Sequence, residues 1–321
     1  MSGFEINYNG PFLLAPRLLR KLYAVNQAEI QSQSKIRSIF HPSDFSDASE
    51  VAFAHALKLT LASSALLQMM HVETSTDNDE EDFPKVRETL ERWKLLPPGS
   101  SHRDVGQLGI EISKVVASSN DPVKACLNFL EINDADLIVL AVHQREGIMR
   151  WLGNMVGEKI AQGSGQMTLF IPSGMDGFVS LADGSVRLKN ILIPVVNKPR
   201  PESAVETTLR LIDGLKLPVG TVTLLHVGTL ESTPKVDLPE STGWAWNQLT
   251  QPGDKSETIV QVAKDLEADL IVMTTDGPDR FLDGLRGTTS ERVLRKAHCP
   301  VAVIPVERFD ESGDYDDAYV F

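Results

Sequence analysis

The residues best suited to chemistry stand together near the C-terminus, in TTDGPDRFLDGLRGTTSERVLRKAHCPVAVIP, Thr274 to Pro305. Glycines at 277 and 287 let backbone approach a phosphate closely. Thr288, Thr289 and Ser290 add hydroxyl donors, and the helical pattern that starts there offers free N–H groups and the positive end of a helix dipole. Arg280 and Arg286 lie near enough in sequence to add positive charge. The chemistry implied is the holding of a phosphate. A plainer reading fits the same residues: Thr288 or Thr289 caps the helix, with Glu291 completing a box-like arrangement, and no ligand is involved. Both readings remain open on sequence alone.

No second constellation competes. The seven histidines, His41, His55, His71, His102, His143, His226 and His298, are scattered without metal-ligand spacing. There is no Walker lysine loop and no G-x-S-x-G elbow, so no catalytic residue or metal site is assigned. Cys126 and Cys299 have neither metal nor redox spacing and fit a reducing compartment. The net charge of −13 is concentrated in ETSTDNDEED (Glu73 to Asp82) and in the tail from Glu307, which contribute −6 and −5. These runs read as a solvated loop and a solvated tail. Without a basic stripe, binding to nucleic acid is not expected.

The elements that would position the phosphate loop repeat along the chain. KIRSIFHPSDFSDASEVAFAHALKL from Lys35 has its counterpart in LKNILIPVVNKPRPESAVETTLRLI from Leu188. ALLQMMHVE recurs as TVTLLHVG, DADLIVLAV as EADLIVMTT, and QMTLFIP as PVAVIP. His71 pairs with His226 at an offset of 155, whereas Asp136 pairs with Asp269 and Pro172 with Pro305 at 133, so the second copy lacks 22 residues after its second strand. The first copy has a predicted helix there, DFPKVRETLERWKLL; the second has TLESTPKVDLPESTG, which reads as loop. Loss of that helix is expected to leave one face of the second sheet less covered.

Each copy reads β-α-β-(α)-β-α-β-α-β. Short apolar runs joined by crossover helices predict a parallel, doubly wound sheet. The expected organisation is an N-terminal helical extension (1–34), a first domain (35–172), a linker (173–187), a second domain (188–306) and an acidic tail (307–321). His71 and His226 at matching strand ends are expected to be structural. Trp244 and Trp246 alternate along a predicted strand. The N-terminus lacks the pattern of a secretory signal, and no apolar run approaches the roughly 18 residues of a membrane span. The segment LLRKLYAVNQAEI reads as an extra helix docked on the fold rather than a membrane-surface helix.

PSDFSDAS after the first strand, LLHV ending the second strand of the second copy, and the Thr274–Pro305 stretch together resemble the universal stress protein family in its tandem form. The likeness covers about residues 35–172 and 188–306. It implies two tandem Rossmann-like domains of the adenine nucleotide alpha hydrolase-like type. Nucleotide-binding members show G-x2-G-x9-G-(S/T) in the last region. In the second copy Gly277 and Gly287 keep the nine-residue spacer, Thr288 follows, and Thr274 stands where the first glycine belongs. In the first copy Ala141 and Gln144 replace the first two glycines, the spacer is one residue short, and Asn154 follows Gly153.

The family's aspartate near adenine and ribose shows the reverse distribution. Asp44 matches it in the first copy, while the second has Val196, with Asn197 as a substitute polar group. The resemblance therefore implies a weak ATP site, with magnesium, in the second domain only. Its phosphates would lie at Gly277, Gly287, Thr288, Thr289 and Ser290, and its adenine towards Pro194, Val196 and Val227. Asp44, Val72, Gly153 and Asn154 would mark a degenerate site in the first domain. It further implies a cytoplasmic regulatory or protective role under stress without turnover, and an intramolecular pseudo-dimer through Met167–Ile171 and Val301–Ile304, with homodimers as a further form. The alternatives are a scaffold that has lost nucleotide binding and, third, a slow ATP hydrolase.

Overall fold

In a computed structural model the described residues are 36–73, 83–142, 156–239, 243–276 and 288–306. The N-terminal extension, both acidic runs but for Glu73, the first-copy loop with Gly153 and Asn154, and Gly277 to Gly287 lie outside them. The order of elements follows the repeat. The first half runs β1 (Ser38–Pro42), α1 (Asp47–Ser63), β2 (Leu66–Glu73), α2 (Val86–Arg92), α3 (His102–Gln107), β3 (Glu111–Ser118), α4 (Pro122–Ile132), β4 (Leu137–Val142), α5 (Val156–Ser164) and β5 (Thr168–Pro172). The second runs β6 (Asn190–Pro194), α6 (Glu202–Gly214), β7 (Gly220–Val227), a 3-10 turn (Leu230–Ser232), β8 (Trp244–Gln251), α7 (Lys255–Asp265), β9 (Leu270–Asp276), α8 (Thr289–Lys296) and β10 (Val301–Val306).

All ten strands form one sheet, in the order β3-β2-β1-β4-β5-β10-β9-β6-β7-β8. Pairing is parallel within each half and antiparallel at the seam, where Val301, Ala302 and Val303 of β10 face Phe170, Leu169 and Thr168 of β5. One buried apolar cluster runs under the sheet through both halves, from Phe40, Ile138 and Phe170 to Val301, Ile271 and Leu192. The inner strands lack polar alternation because they are covered on both faces, unlike the edge strands β3 and β8.

The repeated D-L-I-V motif has a local cause. Asp136 Oδ2 accepts from the amides of Arg37 and Ser38 at 2.7 and 3.0 Å, and Asp269 Oδ2 from those of Lys189 and Asn190 at 2.7 and 2.8 Å. Each aspartate ties the amino end of its half's first strand with charge-assisted bonds. Where the first half has α2 and α3, the second has only the Leu230–Ser232 turn, and no helix among described residues 233–239. Phe83, Leu90 and Trp93 bury against the first half there, whereas Leu230 is 80% exposed.

The linker expected over 173–187 folds as a docked hairpin. Val179 and Val186 form an antiparallel bridge, closed by Ser180 N–H to Ser185 O at 3.0 Å. Phe178 and Val179 are buried.

Candidate functional site

An open parallel sheet binds ligands outside the carboxyl ends of its strands, where the chain order reverses. In the second half that point lies between β6 and β9. These strands pair only through Ile191↔Leu270 and Leu192↔Ile271, whereas β6 continues beside β7 as far as Pro194↔Leu225. Their pairing ends at Leu192, with Pro194–Asn197 running from the end of β6 and Thr274 lying on β9 beyond the paired residues. The pairing of β1 and β4 ends in the same way after Ile39↔Leu137 and Phe40↔Ile138.

Thr288 caps α8 in extended conformation, its hydroxyl accepting from Glu291 N–H at 3.2 Å. The cap reading of the sequence is therefore realised at Thr288, and Thr289 and Ser290 form the first turn. Because β9 runs towards the carboxyl edge and α8 returns from it to the parallel β10, the start of α8 lies at that edge. Pro194, Val196 and Val227 are half-buried at the ends of adjacent strands. Exposed Asn197 donates from Nδ2 to Ser232 O at 3.2 Å. That bond commits one end of its amide to the loop after β7 and leaves Oδ1 as the group able to stand in for a carboxylate.

The two equivalent histidines hold the loops in place. His226 Nδ1 bonds Val195 O at 3.1 Å and its Nε2 bonds Ser232 Oγ at 2.8 Å. His71 Nδ1 bonds Ser43 O at 2.7 Å. In the first half the residue equivalent to Asn197 is Phe45. With φ of 60° it stacks on His71, ring centroids 4.0 Å apart, and meets Phe83 edge-on at 5.3 Å. Asp44 Oδ1 accepts from Ser46 N–H and Oγ at 3.1 and 2.6 Å, shaping the turn that lets Ser46 cap α1. Val72 is half-buried at the end of β2.

Sequence reasoning missed a charge cluster. Glu291 on α8 is buried and ion-paired with Arg295 one turn on. Glu158, its equivalent on α5, has its carboxyl pushed up by burial, with Arg295 opposing that shift and Glu291 adding to it. The repeat offset of 133 between Glu158 and Glu291 is the signal that could have found it. Among the described residues no group of histidine, cysteine or carboxylates could hold a metal, and no helix is long and apolar enough to cross a membrane.

The model of the universal stress protein family matches residues 35–172 and 247–305. A universal stress protein of Methanocaldococcus jannaschii is 44% identical over 52 residues, 16% of this chain and 31% of the relative, so the match spans about a third of that protein. Among solved structures, a universal stress protein from Archaeoglobus fulgidus has a TM-score of 0.53 at 16% identity, covering 84% of this chain and 96% of its own. A Pseudomonas aeruginosa structure, solved as a candidate universal stress protein, has a TM-score of 0.53 at 15% identity, covering 84% and 93%. At such identities the structural likeness shows the fold.

Proposed function

This chain belongs to the universal stress protein family, with a tandem pattern, and from that premise we propose that it binds an adenine nucleotide weakly, in its second half only. The role is regulatory or protective under stress in the cytoplasm, with no turnover assigned. The observation that carries the reading is that the β6–β9 pairing ends at Leu192, at the same carboxyl edge of the sheet as the amino end of α8. There the free N–H groups of the first helical turn and the hydroxyls of Thr289 and Ser290 fit a phosphate. Thr288 retains its place in the cradle through its backbone, its hydroxyl already accepting from Glu291 N–H.

The base lies towards Pro194, Val196 and Val227, and Asn197 Oδ1 replaces the carboxylate. Loss of one charged hydrogen bond weakens binding by about 1.5–3 kcal/mol, tenfold or more. Magnesium accompanies the phosphates and is held by them rather than by a protein cage. The first half is the degenerate partner: Asp44 serves its turn, Phe45 covers His71, and Ala141, Gln144 and the Asn154 that follows Gly153 depart from the phosphate pattern. The two halves act as an intramolecular pseudo-dimer across β5 and β10.

Calorimetric titration with ATP and magnesium tests this. Binding in the wild type that Gly287→Val abolishes and Asp44→Ala preserves is the expected result. Survival in Gly287→Val with loss in Asp44→Ala moves the site to the first half. No binding by the wild type favours the scaffold, a reading supported by Thr288 serving as an ordinary cap, and phosphate release would indicate the hydrolase.

A further inference from the structure

The hairpin that joins the halves is fastened to the first half at two points. At its tip, Trp93 Nε1 and Arg92 Nε both donate to Leu181 O, at 3.1 and 3.0 Å. Gly184, with φ of +67°, lies so close to the Trp93 ring that a Cβ would collide with it. At its base the fastening is His55 of α1. His55 Nδ1 bonds Val51 O at 2.8 Å, and a carbonyl only accepts, so Nδ1 carries the proton. Nε2 then presents its lone pair, which accepts from the amides of Phe178 at 2.9 Å and Val179 at 3.1 Å. Gly177, with φ of +64°, makes the close approach to the imidazole, and Phe178 meets the ring edge-on at 4.6 Å.

We propose that His55 is a proton-sensitive catch: neutral, it holds the connecting hairpin against α1, and protonated, it releases it. A proton on Nε2 would face two backbone N–H donors with no acceptor between them. The ionisable groups on the elements that meet there are Asp47, Glu50 and Lys58 on α1, Arg87, Glu88, Glu91 and Arg92 on α2, and Asp176, Asp183 and Arg187 on the hairpin. Asp183 turns its carboxylate to Ser185 N–H and Oγ, at 3.0 and 2.7 Å. Lys58 lies 5.8 Å over the Trp93 ring. Among the described residues no carboxylate pairs with the His55 ring to favour its charged form. Consistent with this, burial holds the His55 pKa down to about 4, from 6.5, against the raising effect of its bond to Val51 O. The hairpin also lines a cleft of about 220 Å³, formed by Asp176 to Ala182 and Arg187.

The sign follows from linkage. The docked state binds fewer protons than the released one between pH 6.5 and 4, so docking is complete above 6.5 and weakens as pH falls through that window. From pH 7.5 to 4.5 the opening constant should rise about 70-fold. Hydrogen exchange of the full chain, corrected for intrinsic rates, tests it on amides 174–187, with those of β1 as reference. The expected result is a rise of that size in the hairpin alone. His55→Gln, which keeps an acceptor and cannot titrate, should remove the pH dependence. Trp93→Phe, which frees only the tip, should raise exchange at both pH values and keep the ratio. An unchanged hairpin in the wild type, a rise shared equally by β1, or a pH dependence retained in His55→Gln would overturn the proposal.

Discussion

His41 shows how one residue separates two otherwise matching halves. It stands at the place of Ile193 in the repeat, fully buried, with Nδ1 donating to Val139 O at 2.9 Å and no hydrogen-bond partner for Nε2 among the described residues. Burial lowers its pKa to about 4, against the opposing effects of the Val139 bond and Asp44. A depressed histidine pKa contributes stability in full above the unfolded value of 6.5 and loses it as pH falls towards 4. Between pH 7.5 and 4.5 that loss is roughly 2–3 kcal/mol for His41 alone. His41→Ile should therefore flatten the acid limb of the stability curve by this amount, whatever it does at neutral pH. Urea unfolding of wild type and variant at both pH values measures the difference, and parallel curves would assign the acid loss elsewhere.

Among the elements, the strands were legible because each is a short apolar run bounded by polar turns, and their repetition gave the order β-α-β twice. The Thr288 cap was legible too, since hydroxyl residues before a helix with a glutamate three positions on are a local signal. Contacts between distant elements left no such trace. His55 sits in the apolar stretch VAFAHALKL, where nothing marks that its imidazole will accept two amides more than 120 residues away. Nor did GMDGFVSLADGSV announce a docked hairpin, because glycines that permit close approach look the same as glycines in a free linker. The pairing of Glu158 and Glu291 is visible only as a repeat offset of 133, which marks the two as equivalents and not as neighbours.

That pairing carries its own prediction. Arg295 is a cation that acts on two glutamates on equivalent helices, and its side chain is 55% exposed while that of Glu291 is 7% exposed. Arg295→Ala should cost about 1–3 kcal/mol at neutral pH, below the usual figure for a buried pair because water screens the arginine. Glu158, already raised by burial, would rise further. A carboxyl whose folded pKa lies above its unfolded value regains stability as pH falls through the folded pKa, so the deficit of the variant should narrow between pH 7.5 and 5. Denaturant midpoints at the two pH values check this, and a deficit that does not change with pH would mean that Arg295 acts through packing.

At the scale of the molecule, the two copies behave as one folding unit if the β5–β10 seam does what its burial implies. Phe170 and Val301 face each other there, each 1% exposed, within an apolar cluster that draws on β4 from one half and β9 from the other. Neither half can lose its last strand without uncovering the other's core, so unfolding should be a single cooperative transition despite the length of the chain. Trp93 reports on the first half and Trp244 on the second, through variants that retain only one of them. Their denaturation midpoints should coincide. Phe170→Ala removes the largest side chain at the seam and should cost about 3–5 kcal/mol. Because the loss falls on the contact between halves, it should also pull the two midpoints apart. Separate midpoints in the wild type would mean that each half is stable alone and that the shared sheet is incidental to folding.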